Sequence, residues 1–161
     1  LYSMIQATRE SSFNAFIETK ANRISNTGSD KIRHLVKFIN DLDGAVFYAY
    51  PSLENIYDRY TQMAFAYNST PDRYTGKLNL IPAGYFKYEV YEVSWIGTPD
   101  VADGTAPETE TDVLPVADAN GVVEGLVAIG ILYLAEKSGS EEVQYTEYTA
   151  PASTNTIYYG Q

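Results

Sequence analysis

The chain of 161 residues contains no cysteine and a single histidine, His34. The absence of cysteine excludes disulfides, thiolate nucleophiles and cysteine-ligated zinc. With one histidine, any triad or multi-histidine metal site would rest on one residue, and neither a G-x-S-x-G nor a P-loop motif accompanies it. We therefore predict a non-enzymatic protein without a cofactor or a metal site, and interpret His34 as a side chain on a sheet surface.

Long apolar runs and basic clusters are also missing. The longest apolar stretch, 125–135, is about half of the ~20 residues that a membrane helix needs, so we expect no membrane partner. Residues 1–80 hold nine Lys/Arg against eight Asp/Glu, whereas residues 81–161 hold two against thirteen. Because nucleic-acid binding needs a basic surface, we expect no nucleic-acid partner.

Short runs of β-branched and aromatic residues, separated by turn residues, are the prominent positive feature. In the clearest run, 85–95, the alternation places Phe86, Tyr88 and Val90 on one face. The pattern predicts an all-β fold, an antiparallel β-sandwich that is immunoglobulin-like or jelly-roll-like, with extended terminal arms. We place an N-terminal arm at 1–11, the sandwich domain at 12–148 and a C-terminal arm at 149–161.

The segment 31–42 permits two interpretations. Ile32, Leu35, Val36 and Ile39 fall at helical spacing, which favours a helix. The turn cluster at 40–44 leads into the strand-forming stretch 45–50, which instead favours a β-hairpin. We prefer the hairpin and leave the helix as the alternative.

Residues 97–121 form a long acidic excursion with no hydrophobic period and no basic residue, which predicts a connection outside the sheets. The sequence leaves open whether its acidic run, 108–112, binds a divalent cation.

Glu89 and Glu92 resemble a pair of catalytic carboxylates, but an offset of three places them on opposite faces of a strand.

The stretch 122–135 is predicted to be a strand with two apolar faces, so one face is expected to need cover from a loop or from a neighbouring subunit. Tyrosine, with fifteen residues, suits protein interfaces because its ring offers contact area and its hydroxyl a polar tip. We therefore expect a homo-oligomer. The candidate interface residues lie on one face of this strand and in the tail: Leu126, Ala128, Leu132, Leu134, Tyr145, Tyr148, Tyr158 and Tyr159.

Three motifs carry a resemblance to small virion proteins of tailed bacteriophages: residues 35–41 (LVKFIND), 58–60 (DRY) and 82–92 (PAGYFKYEVYE). The likeness covers roughly residues 12–148. It implies a head-associated or decoration protein located in the virion, with other virion proteins, major capsid or neck subunits, as partners. It also implies a loop element at Asp58, Arg59 and Tyr60, in which Arg59 fixes the loop against the sheet by contacts with a carboxylate or with backbone carbonyls, with an inter-subunit contact as its second role.

Two alternatives to a capsid-associated role remain. One is a structural protein of the neck or tail of the same particle. The other is a carbohydrate- or ligand-binding β-sandwich module, in which Trp95 and exposed tyrosines would form a stacking platform.

Overall fold

The computed structural model describes residues 3–57 and 59–137, and the predicted all-β sandwich is confirmed in it. The strands of this part of the chain are β1 (Ser3–Thr8), β2 (Phe13–Ile17), β3 (Ile32–Asn40), β4 (Val46–Ala49), β5 (Leu53–Ile56), β6 (Thr61–Tyr67), β7 (Lys77–Leu78), β8 (Gly84–Ser94) and β9 (Val122–Ala135). Two 3₁₀ turns, Lys20–Asn22 and Ser29–Lys31, lie between β2 and β3.

The strands form two sheets that pack face to face. The larger sheet has the order β1-β9-β8-β3-β4, and the smaller has the order β2-β6-β5, with β7 paired to the end of β6. All pairs are antiparallel except β1 with β9 and β6 with β7. Between the sheets lies the main core, to which alternate residues of β8 contribute: Phe86, Tyr88 and Val90, as the sequence pattern predicted.

The preferred hairpin at 31–50 is confirmed, since β3 and β4 pair antiparallel around a turn that Asn40 organises. The Asn40 side-chain oxygen accepts from the backbone N–H of Leu42 and Asp43. The apolar residues of β3 have helical spacing because both faces of this strand are buried, so apolar residues occur on both faces and do not strictly alternate with polar ones. Val36 points into the main core, whereas Leu35 points to the opposite, outer face.

The predicted N-terminal arm is wrong for Ser3–Thr8, which instead form β1. This strand runs parallel to β9, with Ser3 opposite Gly130 and Thr8 opposite Ala135. Its inward residues, Ile5 and Ala7, are buried in the main core. The predicted C-terminal arm, 149–161, lies outside the described residues.

The acidic excursion 97–121 folds back over the outer face of the larger sheet. Together they bury a second cluster, the outer core, which consists of Leu35, Tyr50, Val93, Trp95 and Ala106. The indole N–H of Trp95 donates to the carbonyl of Ala119 (3.1 Å), and the hydroxyl of Tyr50 donates to the carbonyl of Pro107 (2.6 Å). The excursion is therefore outside the sheets, as predicted, but it is a packed layer of the structure.

Candidate binding groove

Strand β9 is paired unevenly along its length. Residues 130–135 lie between β8 and β1, whereas residues 122–129 pair with β8 alone among the described strands. Two register shifts against β8, between Val90 and Tyr91 and between Glu92 and Val93, mark β-bulges in this first half. Bulges twist a strand and re-aim its side chains, and an edge without a partner strand exposes backbone hydrogen-bonding groups. Among the described residues, the first half of β9 thus forms an edge of the larger sheet without a second partner strand.

A cavity of about 500 Å³ lies between this edge and β2, and we call it the binding groove. One backbone acceptor at its wall is already used, because the side-chain amide of Asn22 donates to the carbonyl of Val127 (3.1 Å). The lining residues come from β2 and the segment after it, from the loop before β6 and from the bulged part of β9: Phe16, Ile17, Glu18, Asn22, Arg59, Tyr60, Leu126, Val127, Ala128 and Ile129.

Exposed aromatic rings form one wall of the groove. In β2, Ala15 and Ile17 point into the main core, so the alternation of the strand turns Phe16 outward, where it is 54% exposed. The ring of Tyr60 contacts Phe16 edge-on, with centroids 5.4 Å apart, and Tyr57 lies 5.3 Å from Tyr60 on the other side. Such a surface favours aromatic and aliphatic side chains of a binding partner.

The loop that carries Arg59 is held differently from the prediction. The Tyr57 N–H donates to the Tyr60 carbonyl (2.9 Å), and the aromatic contacts of Tyr60 add to this bond. Among the described residues, Arg59 has no ion-pair partner, and its exposed side chain lines the groove. Asp58 lies outside the described residues. Within the described part of the chain, no ion pair or hydrogen bond of the Arg59 side chain holds this loop against the sheet.

The predicted interface residues on β9 divide between the surface and the interior. Leu126 is 47% exposed in the groove, and Ala128 lines the groove while packing against the main core. The prediction is wrong for Leu132 and Leu134, which are buried in the main core. The tail candidates, Tyr145, Tyr148, Tyr158 and Tyr159, lie outside the described residues.

A second, smaller cavity of about 250 Å³, which we call the end pocket, opens where the 3₁₀ turns cross from one sheet to the other. Its buried carboxylate, Glu92, accepts from the backbone N–H groups of Ile24 and Ser25, the latter at 2.6 Å. Glu89 lies on the opposite face and accepts from the hydroxyl of Tyr91 (2.6 Å), so the two carboxylates are separated as the sequence predicted.

His34 also lines the end pocket, and the prediction of a sheet-surface position is wrong. Its side chain is 3% exposed because it points between the sheets towards β5. Glu54 accepts from the Nδ1 atom of His34 (2.5 Å) and from its backbone N–H (3.1 Å). The pair therefore connects the larger sheet to the smaller one at the end of the sandwich.

Trp95 is likewise misassigned as a stacking residue. It is 1% exposed, and its ring lies so close to Gly121 that a Cβ atom there would be 2.8 Å from it. No face of the indole is open to a sugar or other ligand. The sequence signal that proposed it, an aromatic residue at the end of a strand, does not distinguish a surface platform from a core residue.

Sequence reasoning missed Phe16 as a groove residue. The alternation of Phe13–Ile17 places it on the face opposite Ala15 and Ile17, which offered a signal. Phe16 could not be assigned to a groove without knowing how the two sheets are placed.

The acidic run 108–112 has a structural role at the outer core. The ammonium of Lys37 donates to Glu110 Oε2 (2.6 Å), and the hydroxyl of Tyr48 donates to Oε1 of the same carboxylate (2.5 Å). In the described part of the chain, no group of three or more potential metal-ligating side chains lies close enough together to hold a metal ion.

This network predicts a pH-dependent contribution to stability. Burial acts to raise the pKa of Glu110, but the hydrogen bonds from Lys37 and Tyr48 lower it, and the net pKa lies below its ordinary 4.5. The bond to Glu110 raises the pKa of Lys37 above 10.5 against the effect of burial. The carboxylate's contribution is therefore present above pH ~4.5 and is lost as the pH falls through the folded-state pKa, whereas that of Lys37 is lost at alkaline pH.

We expect Glu110→Gln to lower the free energy of unfolding at pH 7 by about 1.5–3 kcal/mol, the usual contribution of hydrogen bonds to a charged group. The difference from the parent should shrink at pH 3, measured by urea unfolding. Glu108→Gln, an exposed acid of the same excursion, is the matched control and should change little at either pH. A deficit of equal size at both pH values would show that the charge of Glu110 is not what matters.

Comparison with known proteins identified no relative of this chain. No family model, curated protein or solved structure matches the chain. The class of the molecule therefore follows from its fold and surface: a β-sandwich with a packed outer layer and a groove of mixed aromatic, aliphatic and charged lining at a strand edge. The described residues include no helix long and apolar enough to span a membrane.

Proposed function

We propose that this chain is a non-enzymatic structural protein that assembles with other protein subunits through the binding groove, in the particle of a tailed bacteriophage. The observation that carries the proposal is the exposed edge of β9 beside Phe16, Tyr60 and Leu126. An edge of this kind can accept an added strand, with main-chain hydrogen bonds giving affinity and neighbouring apolar side chains giving specificity.

The size and character of the groove suit a polypeptide. At about 500 Å³ it is wide enough for one or two large side chains, and its open form allows the rest of an extended chain to continue along β9. Arg59 adds one positive charge at the rim, and Glu18 one negative charge. A protein segment that carries an aromatic anchor and an acidic residue is the partner that these features fit.

The phage setting is supported by the sequence resemblance at 35–41, 58–60 and 82–92. Of these segments, the second contains Tyr60, which lines the groove, and the third contains most of β8 in the larger sheet. Within the particle, we propose a capsid-associated or decoration position, with the neck or tail as the alternative. Location in the virion, homo-oligomerisation and contact with major capsid or neck subunits are parts of the same proposal.

The end pocket favours a second candidate, a ligand-binding sandwich module. Its polar lining includes Thr19, Arg23 and His34, and the Nε atom of Arg23 is buried without a hydrogen-bond partner among the residues that the structure describes. This candidate no longer depends on Trp95. If a small molecule binds in the end pocket, its binding should not depend on assembly. We therefore expect Arg23→Ala to abolish ligand binding and to leave the sedimentation of the protein unchanged.

The assembly surface is tested by placing a charge in the groove. We expect Leu126→Asp to weaken self-association by about tenfold or more, because a buried interface carboxylate without a partner costs at least 1.4 kcal/mol. Sedimentation velocity over a concentration series measures the effect. Leu42→Asp, at a site 81% exposed in the β3–β4 turn, is the control. Identical sedimentation of the two variants would rule out the groove as the assembly surface.

Copy number tests the phage setting separately. In purified particles, a shell protein is expected in on the order of hundreds of copies and a neck-ring protein in about a dozen, because each follows the symmetry of its site. Quantitative mass spectrometry of the particles distinguishes them. Absence of the chain from purified particles would overturn a virion role.

A further inference from the structure

We infer that the binding groove receives residues 143–148 (VQYTEY) of a second copy of this chain, docked along the exposed edge of β9. This inference rests on the proposed function and names the partner. In that segment, valine, tyrosine and threonine have high strand propensity. Tyr145 would supply an aromatic anchor against the rings of Phe16 and Tyr60, whereas Tyr148, three residues further on, would point to the opposite face of the added strand.

Charge complementarity supports this occupant. Residues 138–148 contain three glutamates and no lysine or arginine. Arg59 lines the groove without an ion-pair partner among the described residues, and Arg23 lines the adjoining end pocket. Opposite charges at the rim of an interface speed association and select the register. Glu18 is the one acidic residue that lines the groove. The acidic segment is therefore expected to lie beside Arg59 and away from Glu18.

The described chain ends beside the turn after β1, where two exposed ion pairs form. Glu136 meets the Arg9 guanidinium (Oε1 to Nε, 3.2 Å), and Lys137 meets Glu10 (Nζ to Oε1, 3.0 Å). Both partners lie in the turn after β1, at the end of the sandwich where β9 finishes. Six further residues give an extended reach of about 20 Å, so 143–148 can leave the body of one molecule and enter another.

The topology favours a second molecule over the chain's own groove. Along β9, Ala135 and Ile129 are separated by about 20 Å. Between them the edge is filled by β1, whose Ser3 lies opposite Gly130. A tail that returned to its own groove would have to run outside β1 and pass Ser3. Reciprocal exchange between two copies avoids this path and closes a symmetric dimer with two identical interfaces.

Because the chain has no cysteine, introduced pairs report this contact without background. We expect a mixture of full-length Leu126→Cys and Tyr145→Cys proteins in a glutathione redox buffer to form about tenfold more covalent heterodimer than Leu126→Cys mixed with Tyr159→Cys, since docking raises the local thiol concentration. Equal yields from the two mixtures would overturn the assignment of 143–148. In the double variant Leu126→Cys/Tyr145→Cys, a crosslink found only within single chains would overturn the exchange between copies.

Sedimentation separates failure of this inference from failure of the proposed function. The double variant Tyr145→Ser/Tyr148→Ser should weaken self-association by about tenfold, and Tyr158→Ser/Tyr159→Ser should leave it unchanged. If Leu126→Asp disrupts assembly but the Tyr145/Tyr148 variant does not, the groove binds a different partner and only this inference fails. If Leu126→Asp has no effect, the groove is not an assembly surface and both fail.

Discussion

Replacing Trp95 by alanine is expected to lower the free energy of unfolding by about 3–5 kcal/mol, the usual cost of removing a large buried aromatic side chain. The indole is the largest member of the outer core, where it packs under the excursion and donates to the Ala119 carbonyl. Its loss removes both the packing and the bond that attach 97–121 to the larger sheet. Denaturant unfolding followed by far-UV circular dichroism measures the change.

Two further variants give this prediction its controls. Val116→Ala alters a side chain of the same excursion that is 98% exposed, so stability should change by less than about 0.5 kcal/mol. Trp95→Phe keeps most of the ring and removes the N–H donor, so we expect an intermediate loss. Limited proteolysis should cut within 97–121 much faster in Trp95→Ala than in either control. Equal unfolding midpoints for Trp95→Ala and Val116→Ala would show that the excursion is not a stabilising layer.

Replacing Glu54 by alanine is expected to have a comparable effect, again about 3–5 kcal/mol, because removing one partner of a buried charged or strongly polar pair leaves the other without compensation. Glu54 accepts from two groups of His34, its ring Nδ1 and its backbone N–H, and both would lose their acceptor. Thermal and urea unfolding at pH 7 measure the loss. Glu18→Ala, an exposed acid of similar size, is the matched control.

A double-mutant cycle identifies the pair as the cause. His34→Leu combined with Glu54→Met replaces both polar groups by apolar ones, and we expect the double variant to be more stable than Glu54→Ala alone. Additive losses from the two positions would contradict a coupled pair.

Local sequence patterns identified the strands whose burial alternates regularly. β2, β6 and β8 follow the two-residue period of the chain, and β8, Gly84–Ser94, lies within one residue of the predicted run 85–95 at each end. β1 and β5 were missed because both are short and mixed in character. β1 is buried only because β9, more than 120 residues away, pairs with it, and a window of local sequence contains no trace of such a partner.

The groove shows why the faces of β9 could not be read from alternation alone. A strict period of two places Leu126, Ala128, Leu132 and Leu134 on one face. At Val127, β9 has one extra residue relative to β8, which forms a β-bulge. The side chains on the two sides of the bulge therefore no longer follow one alternation. Leu126 is exposed, whereas Leu132 and Leu134 point into the main core. The existence of an apolar strand was therefore predictable, but its exposed side was not.

By itself, the sequence determined the class of the fold, because strand propensity and alternation are local properties of the chain. It also excluded cysteine chemistry, which depends on composition alone. Only the tertiary structure decided that Trp95, His34 and Glu54 are buried and that the acidic excursion forms a layer, since each of these depends on residues far apart in the chain. The groove belongs to the same group, because it exists only where an edge of one sheet meets an edge of the other.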